Sequence, residues 1–375
     1  MEMYPLAYLF DKVVTPDGRG ADGYSSLATA AASDILGDST TQFDITNPAG
    51  STYRYTYDGT GTDPVITALT VQLYKRININ AQNFNAANNE LFYITGSGDD
   101  YFEVTNASGV AENNVTIGTG VINLCSSFGI SLGEYSETAD VEFLSGQRWN
   151  IFGDARVDMA SGKQVIFSGT EIYISCDGIL TIAGDGDVGG QILMTQPTSS
   201  SFVNAGKCVI RLVPPASFTL AARVTITRLE GDFSSFNILV KDWSGENTSS
   251  GQELYMTDLR GTYSYYKIAA ENIDYTSPGT AIQTVVKTSS STAHSFYDVI
   301  IDDFGLIGTS AAYGLHNQGD WSAFSVLIRN VLSSAGTETG VYNAGDYNMF
   351  DGVSRDNGTN VSIAGVGNNS AGLAS

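Results

Sequence analysis

The chain has 375 residues, and its 18 lysines and arginines against 40 aspartates and glutamates give a formal net charge of −22. A polyanion of this size repels phosphate backbones and anionic bilayers, which argues against nucleic-acid and membrane partners. Charged residues make up only 15% of the chain, apolar residues make up 42%, and 41 positions are glycine. Such a composition supplies a core but favours short strands and turns, so we expect an all-β protein.

The histidines and cysteines are too few and too scattered for a zinc site. The chain has two histidines and three cysteines, Cys125, Cys176 and Cys208, without C-x-x-C or H-x-x-x-H spacing. We therefore expect buried free thiols rather than a disulfide framework. The first residues lack a basic segment, and no apolar run reaches the roughly 18 residues of a membrane span, so we expect neither a secretory signal nor insertion into a membrane.

Residues 1–40 read as an N-terminal arm with one short helix. The Ala-rich run over 24–36 is the only segment with a helical pattern. Ser25 or Ser26 can cap its start, and Gly37 can end it.

Residues 41–130 read as an antiparallel β-sandwich or small barrel. Tyr53, Tyr55 and Tyr57 alternate with polar residues, and a turn-forming stretch follows at 58–64. Strict alternation of this kind indicates a half-buried strand, and the region holds five or six such strands.

Residues 131–375 contain an internal repeat. The block 314–324 aligns with 340–350 at an offset of 26, and Arg329 matches Arg355 at the same offset. Five segments also place Asp or Asn six residues after an aromatic residue: Phe236/Asp242, Tyr266/Asn272, Phe296/Asp302, Phe324/Asn330 and Phe350/Asp356. Coils of about 26–30 residues predict a right-handed parallel β-helix, with the aromatic column inside and the Asp/Asn column ending each strand.

The turn stretch TYDGTGTDP at 56–64 and the blocks at 314–324 and 340–350 together resemble bacteriophage tail fibres and tailspikes. The resemblance implies a homotrimer that attaches a virion to a glycan or protein on the host surface. Residues 1–130 would then dock onto other virion proteins after assembly in the host cytoplasm. A capsid decoration or head-fibre protein without a receptor role fits the same features.

The repeat places two candidate sites side by side. Asp320 and Asp346 share one repeat position, so stacking brings their carboxylates about one strand spacing apart. Such a pair could bind Ca²⁺ or act as the acid and nucleophile of a glycosidase, and it could equally be two solvated turn aspartates. Trp321 and Tyr347 follow them, and stacked aromatic rings could contact a carbohydrate or could pack in the interior or in an interface.

The other repeated polar residues suggest structural ladders. Arg329 and Arg355 should stack beside carboxylates of a neighbouring coil or subunit. Asn317 and Asn343 should form an amide ladder along the axis.

Two further acidic groups are weaker candidates. Asp185 and Asp187 resemble part of a Ca²⁺-binding loop, but the glutamate that would complete such a loop is missing. Asp298, Asp302 and Asp303 form the densest acidic cluster, which could supply a catalytic acid and base.

The expected function is that of a phage structural protein, without a catalytic residue and without a cofactor except for a possible Ca²⁺ ion. The alternatives are a polysaccharide depolymerase that acts from the flank of the β-helix and a secreted β-helical adhesin.

Overall fold

The protein is described from a computed structural model, which covers residues 10–20, 23–64, 66, 75–184, 192–218, 223–248, 253–277, 282–308, 311–334 and 337–374. Asp185 and Asp187 lie outside the described residues. The fold is all-β and is built on a parallel β-solenoid. The predicted fold class and the predicted parallel β-helix are therefore confirmed, whereas the handedness of the coil stays a prediction.

The described residues of the first third of the chain form a short helix, α1, and eight strands. In chain order these are β1 Lys12–Val14, α1 Leu27–Ala32, β2 Gln42–Ala49, β3 Thr52–Tyr57, β4 Arg76–Asn80, β5 Leu91–Ser97, β6 Tyr101–Thr105, β7 Glu112–Thr116 and β8 Val121–Leu124, with one turn of 3₁₀ helix at Ala86–Asn88.

All of the described elements after β8 are strands. They are β9 Ser127–Ile130, β10 Gly133–Glu137, β11 Val141–Leu144, β12 Arg148–Ile151, β13 Ala155–Met159, β14 Val165–Ser168, β15 Thr170–Cys176, β16 Ile179–Gly184, β17 Met194–Gln196, β18 Ser201–Val213, β19 Ser217–Phe218, β20 Val224–Leu229, β21 Ser235–Asn247, β22 Leu254–Leu259, β23 Tyr265–Ser277, β24 Gln283–Thr288, β25 Phe296–Gly308, β26 Ala312–Asn317, β27 Ala323–Ser333, β28 Glu338–Asn343, β29 Met349–Arg355, β30 Thr359–Ile363 and β31 Asn369–Ala374.

The solenoid consists of two parallel ladders of strands. The described strands of the first follow the order β1-β9-β12-β15-β18-β21-β23-β25-β27-β29-β31, with β10, β13, β16 and β19 attached to it. The second follows the order β11-β14-β17-β20-β22-β24-β26-β28-β30. From β20 to β27 each coil places one strand of 11 to 13 residues in the first ladder and one six-residue strand in the second, and the strands of the first ladder shorten to 7 and 6 residues in β29 and β31. The same strand position of successive coils therefore forms a column along the axis.

The interior aromatic column exists, with one correction. Phe236, Tyr266, Tyr297, Phe324 and Phe350 lie in register and are buried. Phe296, which the sequence pattern assigned to this column, is instead 42% exposed on the outer face. The coil from β23 to β25 is one residue longer than the coil before it, because Tyr265 pairs with Phe296 whereas Ser235 pairs with Tyr265.

The Asp/Asn column is also present; its first four members form a corner inside a strand, and only the last follows the end of its strand. We call it the Asx corner; its members are Asp242, Asn272, Asp303, Asn330 and Asp356, with φ between 53° and 64°. The predicted member Asp302 is therefore wrong by one residue, like Phe296. Asn and Asp tolerate left-handed backbone better than most residues, so the long strands bend at this corner and continue.

The described residues between 42 and 124 form one seven-stranded antiparallel sheet in the order β7-β2-β3-β6-β5-β4-β8. Phe43, Tyr55 and Phe102, on strands of this sheet, belong to a hydrophobic cluster that is separate from the solenoid core. The antiparallel organisation agrees with the prediction, while a sandwich of two sheets is not confirmed.

Strand β1 and helix α1, which lie within the predicted N-terminal arm, pack on the solenoid. Strand β1 pairs in parallel with β9, and Leu27, Ala30 and Ala31 of α1 lie in the solenoid core. Ser26 caps the helix by accepting a hydrogen bond from the Thr29 N–H (3.1 Å). The antiparallel sheet is thus inserted between α1 and β9. No helix among the described residues is long and apolar enough to cross a membrane.

The expectation of three free thiols is wrong. Cys176 and Cys208 form a disulfide with a Cα–Cα distance of 4.9 Å, and Cys125 remains a free thiol. The two cysteines are 32 residues apart, which is close to the length of one coil in this part of the solenoid, because Thr170 pairs with Ser201. Stacking of consecutive coils therefore brings together cysteines that look scattered in the sequence. Burial raises the pKa of Cys125 to about 12.

Candidate binding surface

Trp321 and Tyr347 stack on the outside of the solenoid as part of a longer series of rings. We call this series the aromatic ladder; its members are Phe233, Tyr263, His294, Trp321 and Tyr347. Adjacent ring centroids lie 5.3, 5.1, 6.4 and 4.3 Å apart, and adjacent ring planes differ by 6° to 28°. Trp321 is 56% exposed and Tyr347 is 48% exposed. Packing in the interior of the chain is thereby excluded for both residues.

Every member of the aromatic ladder has a left-handed backbone. The φ angles of the five residues lie between 53° and 55°. Bulky side chains are rare in this region, which costs an ordinary residue about 1–2 kcal/mol relative to the right-handed form. Glycine would make the same corner without that cost. The rings are therefore not required by the backbone of the corner.

A row of buried polar residues follows the aromatic ladder by one position. The backbone N–H groups of Ser234, Ser264, Ser295 and Ser322 each donate to the side-chain oxygen at the same position of the next coil, the last to Asn348 (3.1, 3.1, 3.3 and 2.9 Å). Each serine hydroxyl in turn donates to the carbonyl two residues before it. These bonds fix the corner in each coil and satisfy the buried hydroxyls.

A groove of about 730 Å³ runs beside the aromatic ladder, above this row of serines. Its opposite wall is a second column on the long strands, in which Tyr265, Phe296, Ala323 and Met349 are in register. The rings of Tyr265 and Phe296 stack at 5.5 Å. Among the described residues that line the groove, none carries a carboxylate, an ammonium or a guanidinium group. The described part of the groove is therefore aromatic and holds one imidazole, that of His294, but no permanently charged group.

Asp320 and Asp346 bind backbone of the neighbouring coil. The Asp346 N–H donates to Asp320 Oδ1 (2.6 Å), and the Val366 N–H donates to Asp346 Oδ1 (2.7 Å). Asp232 accepts the Thr262 N–H in the same way (2.7 Å). This repeated contact is structural, and the described residues contain no cluster of three His, Cys, Asp or Glu side chains suited to a metal. A Ca²⁺ or glycosidase role for Asp320 and Asp346 stays a prediction.

The predicted ladders of basic and amide groups form in part as expected. Arg329 pairs in a bidentate manner with Asp302 of the preceding coil (2.7 and 2.5 Å). Arg355 is aligned with Arg329 but pairs with Asp356 of its own coil (3.5 Å).

The amide ladder is buried in the solenoid. Asn317 Nδ2 donates to Asn343 Oδ1 at 2.5 Å, and both side chains are inaccessible to solvent.

The acidic cluster at 298–303 does not converge on one point. Asp298 faces Lys267 at 4.0 Å, Asp302 binds Arg329, and Asp303 belongs to the Asx corner. The three carboxylates thus have three different surroundings, and no acid–base pair is formed by this segment.

A polar group on the second ladder of strands was not foreseen. His316 is 9% exposed and packs edge-on against the stacked pair of Tyr313 and Tyr342, at 5.3 and 5.0 Å. Burial, together with the nearby Lys287 ammonium, lowers the pKa of His316 to about 4. The histidine is therefore neutral at pH 7.

Comparison with protein-family models, curated proteins and solved structures finds no match to this chain. The chain is thus defined by what its own geometry shows, namely a parallel β-solenoid with an exposed aromatic ladder beside an uncharged groove.

The aromatic ladder has a signal in the sequence, but the sequence analysis identified only its last two members, Trp321 and Tyr347. The segments are DFSSF at 232–236, TYSYY at 262–266, AHSFY at 293–297, DWSAF at 320–324 and DYNMF at 346–350. In each, a ring precedes Ser or Asn and lies three residues before the interior aromatic residue. Alignment on this pattern would also have placed Tyr297, and not Phe296, in the interior.

Proposed function

We propose that the protein is a non-enzymatic attachment protein of the fibre or spike type, in which the solenoid is a stiff shaft and the aromatic ladder is its ligand-binding surface. The observation that carries this proposal is the exposed position of five consecutive rings on a left-handed backbone. Backbone strain that the fold does not need is most often kept at functional sites. A contiguous exposed apolar surface also marks a site of interaction.

Carbohydrate is the ligand class that this surface supports. The groove is long, open to solvent and walled by aromatic side chains, the residue type that predominates in ligand-binding clefts. An extended sugar chain has C–H groups and hydroxyls along its whole length, so it can contact several coils at once.

Polysaccharide cleavage is the second candidate, and the groove does not favour it. Glycosidases of the common kinds need two carboxyl groups beside the scissile bond. The described lining residues of the groove supply none, and Asp320 and Asp346 hold backbone N–H groups instead.

The virion assignment is part of the same proposal. It is supported by the resemblance to phage fibres and spikes and by the low content of charged residues. Residues 1–130 would dock onto other virion proteins, and three chains would associate. Light scattering on the purified protein tests the last point, because a trimer has three times the mass of the 39.8 kDa chain.

The decisive test of the binding proposal is a paired substitution in the ladder. Trp321→Gly with Tyr347→Gly removes two rings while giving the corner a residue suited to positive φ. Binding to immobilised bacterial surface polysaccharides should fall at least tenfold, while the thermal midpoint changes little. Tyr93→Ala, which removes a 61% exposed ring from the antiparallel sheet, is the matched control and should bind like wild type. Equal binding by the double variant would contradict the proposal.

A further inference from the structure

The charge and the direction of the groove restrict which polysaccharide it can bind. We propose that its ligand is a neutral polysaccharide that lies parallel to the solenoid axis, and this inference rests on the attachment function proposed above. Three properties of the groove lead to it: its direction, its lack of charge, and the fact that the polar groups of its floor are already hydrogen-bonded.

The direction follows from the two walls. The aromatic ladder and the column of Tyr265, Phe296, Ala323 and Met349 both run from coil to coil, so the groove between them is parallel to the axis. Its five rungs span four coil rises of about 4.8 Å, or about 19 Å. A sugar chain can follow this path along its whole length and contact both walls.

The lack of charge follows from the lining residues and from the rest of the molecule. The described part of the groove has no lysine or arginine to pair with an anionic sugar, and its one imidazole, that of His294, is stacked between Tyr263 and Trp321. The whole chain carries a net charge of −22, which repels a polyanion at any point of approach. A carboxylate or phosphate on the ligand would therefore lose water without gaining a partner.

The floor of the groove has few hydrogen bonds left to offer. The N–H groups and hydroxyls of Ser264, Ser295 and Ser322 are already bonded within the solenoid. The ring faces are covered as well, because the rings stack on each other along the axis. What remains for the ligand is the edges of the rings, which carry partial positive charge and contact oxygen atoms favourably. Each added sugar unit thus contributes a small contact, and affinity should grow with chain length.

Charge can be isolated with an acidic polysaccharide and its carboxyl-reduced form, which have the same linkages. A panel of neutral bacterial polysaccharides is first assayed for binding to the full-length protein. Binding of the acidic polysaccharide and of its reduced form is then measured by calorimetry at 20 mM and 300 mM NaCl. We expect the reduced form to bind at least tenfold more tightly at low salt, with a smaller difference at high salt because salt screens repulsion. Equal or tighter binding of the acidic form would overturn the inference but not the attachment function. If none of the polysaccharides binds, both the inference and the attachment function are overturned.

A charge placed in the groove gives a second, independent test. Ala323 lies in the second wall between Phe296 and Met349. Ala323→Lys should raise affinity for the acidic form at least fivefold, because it adds the missing cation, while Ala323→Gln should not. If both variants change binding of the two forms equally, the uncharged groove does not select the ligand, and the inference is wrong.

Discussion

The later coils of the solenoid turn two corners whose backbones are alike and whose side chains are not. At the Asx corner the left-handed residues are Asp and Asn, the non-glycine types that tolerate this conformation best. At the aromatic ladder the same φ is held by Phe, Tyr, His and Trp. The first corner can be explained by local backbone preference alone. The second cannot, which is why we propose that its side chains are kept for a ligand.

The largest expected effect tests the register on which both corners depend. Tyr297 is fully buried in the interior column, whereas its neighbour Phe296 lies in the outer wall of the groove. Tyr297→Ala should lower the free energy of unfolding by about 3–5 kcal/mol, the usual range for a large buried ring. Phe296→Ala should cost less than about 1 kcal/mol. Urea unfolding of the two variants measures this, and a reversed order would move the corner residue from Asp303 back to Asp302.

Acid should destabilise a side of the solenoid that carries neither corner. The pKa of His316 is lowered from 6.5 to about 4 in the folded state, so the unfolded chain binds the proton more readily. The contribution of neutral His316 to the free energy of unfolding should therefore be fully present above pH 6.5. It should fall by about 2–3 kcal/mol as the pH decreases towards 4. His316→Gln should flatten this part of the profile. An unchanged slope in the variant would show that His316 does not titrate with folding.

The aromatic ladder should respond differently to alanine and to glycine. Trp321→Ala keeps the left-handed strain and loses the stacked ring, which should cost about 1–2 kcal/mol. Trp321→Gly loses the same ring but relieves the strain, so its stability should lie within about 1 kcal/mol of wild type. Both variants should lose polysaccharide binding. Thermal unfolding and binding assays on the same samples separate the two effects, and retained binding in either variant would count against the ligand role of the ring.

The smallest effect is expected at the Asx corner. Asn272 donates a hydrogen bond to Asp242 of the preceding coil at 2.9 Å. Asn272→Gly should be close to neutral, and Asn272→Ala should cost about 1 kcal/mol because alanine fits positive φ poorly. Neither change should alter binding. If Asn272→Gly reduced binding as strongly as Trp321→Gly, the contrast between the two corners would not hold.

Much of the solenoid could be predicted from the sequence, because residues one coil length apart in the sequence lie above one another when the coils stack. The offset of 26 between 314–324 and 340–350 indicated parallel coils, and Ser26 was correctly named as a possible helix cap. The error at Phe296 arose because two aromatic residues are adjacent there and the coil is one residue longer. Periodicity alone cannot choose between neighbours of the same type.

Other features depend on contacts that a single sequence does not reveal. The Cys176–Cys208 disulfide could be predicted only after the local coil length was known. The return of the chain to the solenoid after the antiparallel sheet rests on the pairing of β1 with β9, two segments more than 100 residues apart. The aromatic ladder was predicted only in part, since its first three members in the chain, Phe233, Tyr263 and His294, differ in residue type and do not stand out as one repeat position.

The accessibility of Trp321 in solution tests the central claim most directly. Trp149 and Trp243 are 1% and 5% exposed, whereas Trp321 is 56% exposed. Acrylamide quenching should therefore identify one accessible tryptophan among the three, and Trp321→Phe should abolish that accessible fraction. If wild type shows no accessible tryptophan, a second copy or another part of the protein covers the aromatic ladder. The ladder would then be an interface and not an open ligand-binding surface.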